Sequence, residues 1–272
     1  ARAILRFSKL RYAGSRCWRA DTQAQAMTTQ MTGAVPAAPA ARPVRAVLFD
    51  LDGTLIDTEE HTELAITAVM AEHGMAGFAL PAKLTRGCTW ESVAAEIRRR
   101  TQLQVGAAEL AAELLAHWVA GTANARPIPG APAAIRAAAA AGLRIGVVSS
   151  SPRSVIDYFL ERLAVSDCVA ARARIGAGEV RVTKPDPEGF LLAARVLETE
   201  PAECLVFEDS NAGLLAARGA SMRSVFITCC AENVSRDLPL ATLAYEHYQV
   251  LPPGFWAGIA SGERDLRRGT PA

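Results

Sequence analysis

The chain has 272 residues, of which 50% are apolar and 21% are charged, with a formal net charge of +1. This length is enough for one full-sized α/β domain plus a smaller inserted domain, and the apolar fraction supplies a sizeable core. The near-neutral charge argues against nucleic acid as a partner, because binding to a phosphate backbone needs an excess of basic residues. No apolar run approaches the roughly 20 residues that span a bilayer, which argues against a membrane partner.

Residues 1–42 differ in composition from the rest of the chain. Basic residues outnumber the single acid, Asp21, and Ser, Thr, Ala and Gln make up much of the remainder. This composition is typical of an organelle transit peptide. We therefore predict a disordered leader that directs the protein to a chloroplast or mitochondrion if it is a transit peptide; otherwise we expect a cytoplasmic location. The alternatives are an ordinary disordered leader or non-native sequence upstream of a start at Met27 or Met31.

Deletion of residues 1–42 tests this leader. Because the segment offers little apolar surface to bury, we expect the shortened protein to keep its melting temperature nearly unchanged in a thermal denaturation experiment. A large fall in melting temperature would mean that the segment packs on the folded part. If the segment is a transit peptide, its fusion to a fluorescent protein should enter an organelle.

Strand and helix patterns alternate along most of the remaining chain. Residues 45–49 are a short apolar run, as expected of a buried parallel strand, and Asp50 follows it directly. After Asp57 the apolar period becomes helical, and no strand pattern interrupts residues 59–126. The further predicted helices are 91–100, 107–120, 132–141, 152–163, 187–198 and 212–218, and the further predicted strands are 143–148, 167–170, 204–207 and 224–227.

This alternation predicts an α/β protein with a Rossmann-like, doubly wound parallel sheet and an inserted all-helical domain. The predicted catalytic core covers residues 43–58 and 127–240, and the predicted helical cap covers residues 59–126. We expect residues 241–272 to form a C-terminal tail that packs on the core through Phe255 and Trp256. The cysteine spacing fits neither a zinc site nor a disulfide framework, so we predict free thiols in a reducing compartment at Cys17, Cys88, Cys168, Cys204, Cys229 and Cys230.

Four polar clusters occur along the predicted core, three of them directly after predicted strands. Active sites in such sheets lie beyond the carboxyl ends of the strands, so we expect the clusters to meet at one edge. They are residues 50–54 (DLDGT), 149–151 (SSS), 183–185 (TKP) and 208–210 (EDS). Each alone has a simpler interpretation, such as a turn, a helix cap or a solvated charge. Their occurrence together, in order, favours a shared site.

Together these clusters suit the transfer of a phosphoryl group. Carboxylates brought close together at one edge repel one another, and a hard cation such as Mg²⁺ relieves that repulsion with oxygen ligands alone. One carboxylate can attack phosphorus while another protonates the leaving group. Lys184 and Ser149 would neutralise the transferring group, and Gly53 would let the backbone approach it closely.

Four segments of the chain resemble the motifs of the haloacid dehalogenase superfamily of phosphatases. They are FDLDGTLIDTEE (residues 49–60), VVSSS (147–151), TKPDPEGF (183–190) and FEDSNAGLLAARGA (207–220). The resemblance covers roughly residues 44–230, and the first and fourth segments together are highly specific. It implies a phosphatase with the helical insert as a mobile cap that closes over the site.

The resemblance also implies a role for each candidate residue. Asp50 would be the nucleophile and Asp52 the general acid and base, and an Asp at position 52 indicates phosphate rather than halide chemistry. The residues implied in phosphate binding are Gly53, Thr54, Ser149, Ser150 and Lys184. Those implied in binding Mg²⁺ are Asp50, the backbone carbonyl of Asp52, Asp209 and, through a bound water, Glu208.

The most similar subgroup acts on small phosphorylated metabolites such as sugar and polyol phosphates, so we expect a monomeric enzyme with that class of substrate. The alternative is a phosphosugar mutase of the β-phosphoglucomutase type. The chain departs from that type, because Thr62 and Trp90 stand where a His and an Arg are typical, although Arg86 or Arg98 could replace the Arg. A third hypothesis, a non-enzymatic sensor on the same fold, is disfavoured because every residue needed for turnover is present.

Overall fold

The computed structural model describes residues 42–81, 84–264 and 266. The predicted leader, apart from Arg42, and the predicted free thiol of Cys17 lie outside the described residues. The other five cysteines carry free thiols, and the Sγ atoms of the neighbouring Cys229 and Cys230 are 3.9 Å apart. No helix in the described ranges is long and apolar enough to cross a membrane.

The fold is built on a parallel sheet with helices along both faces. The strands are β1 (Ala46–Phe49), β2 (Ile56–Asp57), β3 (Arg126–Pro127), β4 (Arg144–Val148), β5 (Arg174–Ile175), β6 (Cys204–Glu208), β7 (Arg223–Ile227) and β8 (Leu243–Tyr245). The helices are α1 (Glu59–Glu72), α2 (Trp90–Arg100), α3 (Ala107–Gly121), α4 (Ala131–Ala140), α5 (Arg153–Arg162), α6 (Glu188–Val196), α7 (Asn211–Gly219), α8 (Val234–Asp237) and α9 (Phe255–Ser261). Six strands form the main sheet in the order β5-β4-β1-β6-β7-β8.

Strand β1 lies in the middle of this sheet, hydrogen-bonded to β4 on one side and to β6 on the other. Val47 and Phe49 point into a hydrophobic cluster with helices α4, α5 and α9, whereas Ala46 and Leu48 point into a cluster with α6 and α7. Both faces are therefore covered, which is why the strand reads as a continuous apolar run. The prediction of a Rossmann-like α/β sheet is confirmed.

The strand predicted at residues 167–170 is wrong. A 3₁₀ turn, Ser166–Cys168, occupies the first half of that range, and the edge strand β5 comes later in the chain. Val169 is buried, and the Arg174 guanidinium donates to the carbonyls of Ser166 and Val169 at 2.7 and 2.9 Å. The apolar residues of this range are therefore explained by the packing of a turn. Strand β5 has only two residues and begins with the polar Arg174, so no apolar run predicted it.

The last strand, β8, lies within residues 241–272, which were predicted as a tail. It pairs with β7 in parallel, so the sheet extends beyond residue 240. A strand of three residues is too short to show a period in the sequence. The expected packing of the following helix is present, since Phe255 is buried and the ring centroid of Trp256 lies 5.5 Å from that of Phe207.

Helices α1, α2 and α3 form the insert, and the helical period predicted after Asp57 corresponds to α1. The predicted helices 91–100 and 107–120 agree with α2 and α3 to within one residue at each end. The rings of Trp90 and Trp118 pack edge to face with centroids 5.9 Å apart, which joins α2 to α3. Antiparallel strands β2 and β3 lie at the two ends of the insert, with Asp57 opposite Arg126. Arg126, predicted as the last residue of the cap, therefore belongs to a strand pair through which the chain enters and leaves the insert.

Candidate active site

Three neighbouring strands bring polar groups to the carboxyl edge of the sheet. Asp50 follows β1, Ser149 follows β4, and Glu208 ends β6. Lys184 comes from an irregular segment, and its Nζ donates to Asp50 Oδ1, to the carbonyl of Val148 at 2.9 Å and to Glu208 Oε1 at 2.7 Å. These three acceptors hold the buried ammonium group at the sheet edge, although no strand leads into it. The structure thus brings all four predicted clusters together.

A cluster of buried carboxylates lies beside Lys184. Asp50, Glu208 and Asp209 each place one oxygen within 4.8 Å of the others. Burial raises the pKa of Asp50 to about 8, even though Lys184 opposes this shift. Burial, together with the charges of Glu208 and Asp50, raises the pKa of Asp209 well above its usual value. Negative charge concentrated in this way is stabilised by a divalent cation, and donors that are all oxygens fit Mg²⁺.

The side chain of Asp52 lies apart from that cluster and is held by three hydroxyl groups. Asp52 Oδ2 accepts hydrogen bonds from Ser149 at 3.1 Å and Ser151 at 2.9 Å, and Oδ1 accepts one from Thr58 at 3.1 Å. Burial raises the pKa of Asp52, although these hydroxyls oppose the shift. A raised pKa suits a carboxyl group that must carry a proton to a leaving group.

The other residues predicted to bind phosphate contact protein groups here. Thr54 donates to Asp209 Oδ1 at 3.0 Å, and Ser150 donates to the carbonyl of Gly87 at 2.8 Å. Gly53 has a φ of +79°, and a Cβ at this position would lie 2.2 Å from Asp209 Oδ2. Gly53 is therefore required here for the close approach of Asp209, whereas the sequence suggested a close approach to phosphate.

Glycine is also required at position 213, a residue that the sequence reasoning did not single out. A Cβ on Gly213 would lie 1.7 Å from Glu208 Oε1, so only glycine leaves room for that carboxylate. Glu208 Oε2 accepts from the backbone N–H groups of Asp209 and Ser210, both at 3.0 Å. Glycine in the first turn of a helix destabilises the helix, so a glycine at this position of the sequence could have indicated that a neighbouring group requires it.

A pocket opens over Asp50 and Asp52 between the core loops and the insert. Arg86 spans its rim, with Nε 2.9 Å from Glu59 Oε2 and Nη1 donating to the carbonyl of Cys230. Burial raises the pKa of Glu59 to about 7, and Arg86 opposes that shift. The lining residues are Asp50, Asp52, Thr58, Glu59, Thr62, Thr85, Arg86, Gly87, Cys88, Trp90, Val93, Trp118, Ser149, Ser150, Ser151, Asp209 and Ser210.

The positions that depart from the mutase pattern lie on the insert side of this pocket. Thr62 Oγ1 accepts a hydrogen bond from Trp118 Nε1 at 3.2 Å, and Trp90 lies against the same indole. Arg98 is exposed on α2 and is not among the residues that line the pocket, so Arg86 is the arginine that reaches it. The sequence did not predict three of the lining residues, because nothing in their spacing marked them as site residues. They are Thr58 and Glu59, within segment 49–60, and Ser151, within segment 147–151.

Comparisons with known proteins agree with this geometry. Residues 44–221 match the family model of haloacid dehalogenase-like hydrolases. Validoxylamine A 7'-phosphate phosphatase of Streptomyces hygroscopicus subsp. limoneus is 31% identical over 194 residues, which cover 68% of this chain and 85% of that protein. Hexitol phosphatase B of Escherichia coli (strain K12) is 30% identical over 192 residues, which cover 68% of this chain and 84% of that protein.

The fold is also shared with a solved structure. The crystal structure of β-phosphoglucomutase from Clostridium difficile superposes with a TM-score of 0.66 at 24% identity, over 81% of this chain and 98% of that one. The match to the family model covers more than half of the chain, and the relatives of the chain include phosphatases. The chain therefore belongs to the haloacid dehalogenase-like hydrolases and is a phosphatase of that family.

Proposed function

We propose that the protein is a Mg²⁺-dependent phosphatase that hydrolyses a small sugar or polyol monophosphate through a phosphoaspartate on Asp50. The observation that carries the proposal is the position of Asp50, whose carboxylate accepts a hydrogen bond from Lys184, belongs to the cluster of buried carboxylates and lines the pocket. The substrate class follows from the relatives, one of which is named as a hexitol phosphatase.

In the first step, an Asp50 oxygen attacks phosphorus and the bond from phosphorus to the leaving-group oxygen breaks. Asp52 gives its proton to that oxygen, so the product leaves as an alcohol. The three hydroxyl groups around Asp52 keep its carboxyl group oriented toward the pocket. Lys184 offsets the negative charge that gathers on the transferring group, because its ammonium group is buried and fixed by three acceptors.

In the second step, Asp52 is a carboxylate and takes a proton from a water molecule, which attacks the phosphorus of the phosphoaspartate. The bond between phosphorus and Asp50 breaks, inorganic phosphate leaves, and both carboxyl groups return to their starting states. Mg²⁺ bound by Asp50 and Asp209, with Glu208 beside it, would supply positive charge to the phosphoryl oxygens. A screen of phosphorylated metabolites for phosphate release tests the proposal, and release from none of the sugar or polyol phosphates would contradict it.

Substitution of Gly213 by Ala should lower kcat by about a hundred-fold, because the new methyl group displaces Glu208 and disturbs the groups around Asp50. Steady-state kinetics measure the effect. Gly219→Ala on the same helix is the matched control, since its Cβ would meet nothing closer than Pro187 at 3.5 Å. A Gly213→Ala enzyme with the wild-type kcat would show that the position of Glu208 is unimportant.

We also expect free phosphate and no isomerised product from monophosphate substrates. A mutase must hold a bisphosphate, which requires a cationic group for the distal phosphate. Here Thr62 and Trp90 stand in the corresponding places, and they contact Trp118. NMR of the products from glucose 1-phosphate measures the outcome. The 6-phosphate isomer in excess over inorganic phosphate would establish a mutase and leave the assignment of Asp50 intact.

A further inference from the structure

The charges that line the pocket are unevenly divided. Within the described ranges, its acidic lining residues are Asp50, Asp52, Glu59 and Asp209, and its one basic lining residue is Arg86. Lys184 lies deeper, where its Nζ already contacts two of the buried carboxylates. Among the described residues that line the pocket, Arg86 is therefore the cationic group placed to meet an anionic group on the part of the substrate that extends away from the transferring phosphate.

The guanidinium of Arg86 is already engaged on two sides. Its Nε lies 2.9 Å from Glu59 Oε2, and its Nη1 donates to the backbone carbonyl of Cys230. The side chains of Arg86 and Glu59 are 23% and 18% exposed, so water screens their attraction only in part. Glu59 is the first residue of α1. The positive charge of Arg86 is thus balanced within the protein.

We propose that Glu59 is a specificity-determining residue that, by pairing with Arg86, selects substrates whose leaving group is uncharged and hydroxylated and rejects those with a second anionic group. The inference rests on the proposed phosphatase function and deepens it. A second phosphate or carboxylate would have to displace Glu59 from Arg86 or lie beside its carboxylate, and unpaired like charges at close range are costly.

The same residues suit a polyhydroxylated leaving group. The oxygens of Glu59 can accept hydrogen bonds from hydroxyl groups, and the unused N–H groups of Arg86 can donate to them. Trp90 and Trp118 also line the pocket, and their indole rings supply apolar surface for the C–H groups of a sugar or polyol. A simpler interpretation is that Glu59 only stabilises the positive end of α1. That role would not change the choice between substrates.

Two substrates that differ at one end test the proposal. Sorbitol 6-phosphate and 6-phosphogluconate share a six-carbon hydroxylated chain, but the second ends in a carboxylate. We expect wild-type kcat/KM to favour sorbitol 6-phosphate by at least about ten-fold. Glu59→Gln should reduce this preference about ten-fold, mainly through faster hydrolysis of 6-phosphogluconate, because Arg86 is then free to bind its carboxylate. Glu60→Gln is the matched control, since Glu60 is exposed on the same helical turn and does not line the pocket.

The double variant Glu59→Gln/Arg86→Gln separates the proposed cause from a general disturbance. If free Arg86 causes the gain, the double variant should lose the faster hydrolysis of 6-phosphogluconate. An unchanged preference in Glu59→Gln, or a wild-type preference for 6-phosphogluconate, would overturn the inference. Melting temperatures of all variants show whether they remain folded, and an unfolded Glu59→Gln would be replaced by Glu59→Ala, which also removes the carboxylate and should likewise reduce the preference.

p-Nitrophenyl phosphate distinguishes a failure of this inference from a failure of the proposed function. If the enzyme hydrolyses it with Mg²⁺ but shows no preference between the two test compounds, the phosphatase function stands and the role of Glu59 is wrong. If no compound is hydrolysed, the proposed function fails. Calorimetric titration of both test compounds then still measures the preference, and tighter binding of sorbitol 6-phosphate that weakens in Glu59→Gln would support the inference.

Discussion

Replacement of Asp50 by Asn should lower kcat by at least about a thousand-fold, because an amide cannot form the acyl phosphate. The fold should tolerate the change. Asn has nearly the same shape, and burial already disfavours the ionised carboxylate, as its pKa of about 8 shows. Lys184 keeps Glu208 and the carbonyl of Val148 as acceptors. We therefore expect a folded protein without phosphatase activity, measured by phosphate release under saturating substrate.

Asp57→Asn provides the matched control, because Asp57 is exposed on β2 and does not line the pocket. Its kcat should stay close to that of the wild type. Rapid acid quenching of the wild-type reaction, followed by mass spectrometry, should place one phosphoryl group on the peptide that contains Asp50. A variant that retains a tenth of the wild-type rate would show that Asp50 is not the nucleophile.

Removal of divalent cations should abolish phosphate release, and added Mg²⁺ should restore it. Without a cation, the phosphate of the substrate must approach three buried carboxylates, and within the described part of the chain Lys184 is the cationic side chain that pairs with two of them, Asp50 and Glu208. Such repulsion in a poorly screened site raises the activation free energy by roughly several kcal/mol, which is enough to stop turnover. The measurement is phosphate release before and after chelation and after Mg²⁺ is returned.

Thermal denaturation provides a second readout that does not depend on activity. Mg²⁺ should raise the melting temperature of the wild type, because a ligand that binds only the folded state stabilises it. Asp209→Asn should lose much of this shift, since Asp209 is one of the three clustered carboxylates. Glu263→Gln, a substitution outside the cluster, should retain it. Full activity in excess chelator would contradict the assignment of the cluster as a metal site.

Much of the site could be predicted because its residues lie next to elements that the sequence marks clearly. Asp50 follows a fully apolar run, and Glu208 and Asp209 stand at the end of another, so parallel strands must carry them to one edge. The same argument placed Ser149 after β4. Lys184 was singled out as part of one of the four polar clusters, although no strand leads to it, and the resemblance of its segment to a known motif supported the same role.

Other contacts could not be predicted, because each joins residues far apart in sequence and no local pattern requires them. Arg86 meets the carbonyl of Cys230, and Ser150 meets that of Gly87. The edge strand β5 and the last strand β8 have two and three residues, so neighbouring strands rather than periodicity decide where they form.

The sequence by itself determined that this chain forms a parallel α/β sheet with a helical insert, and that an Asp50-centred site lies at the sheet edge. Apolar periodicity and strand-end position depend on local chemistry, which the sequence contains in full. Only the tertiary structure decided that Asp52 is held by three hydroxyls, that Gly213 makes room for Glu208, and that Glu59 pairs with Arg86. These arrangements depend on distances between separate elements, and those distances are set by packing.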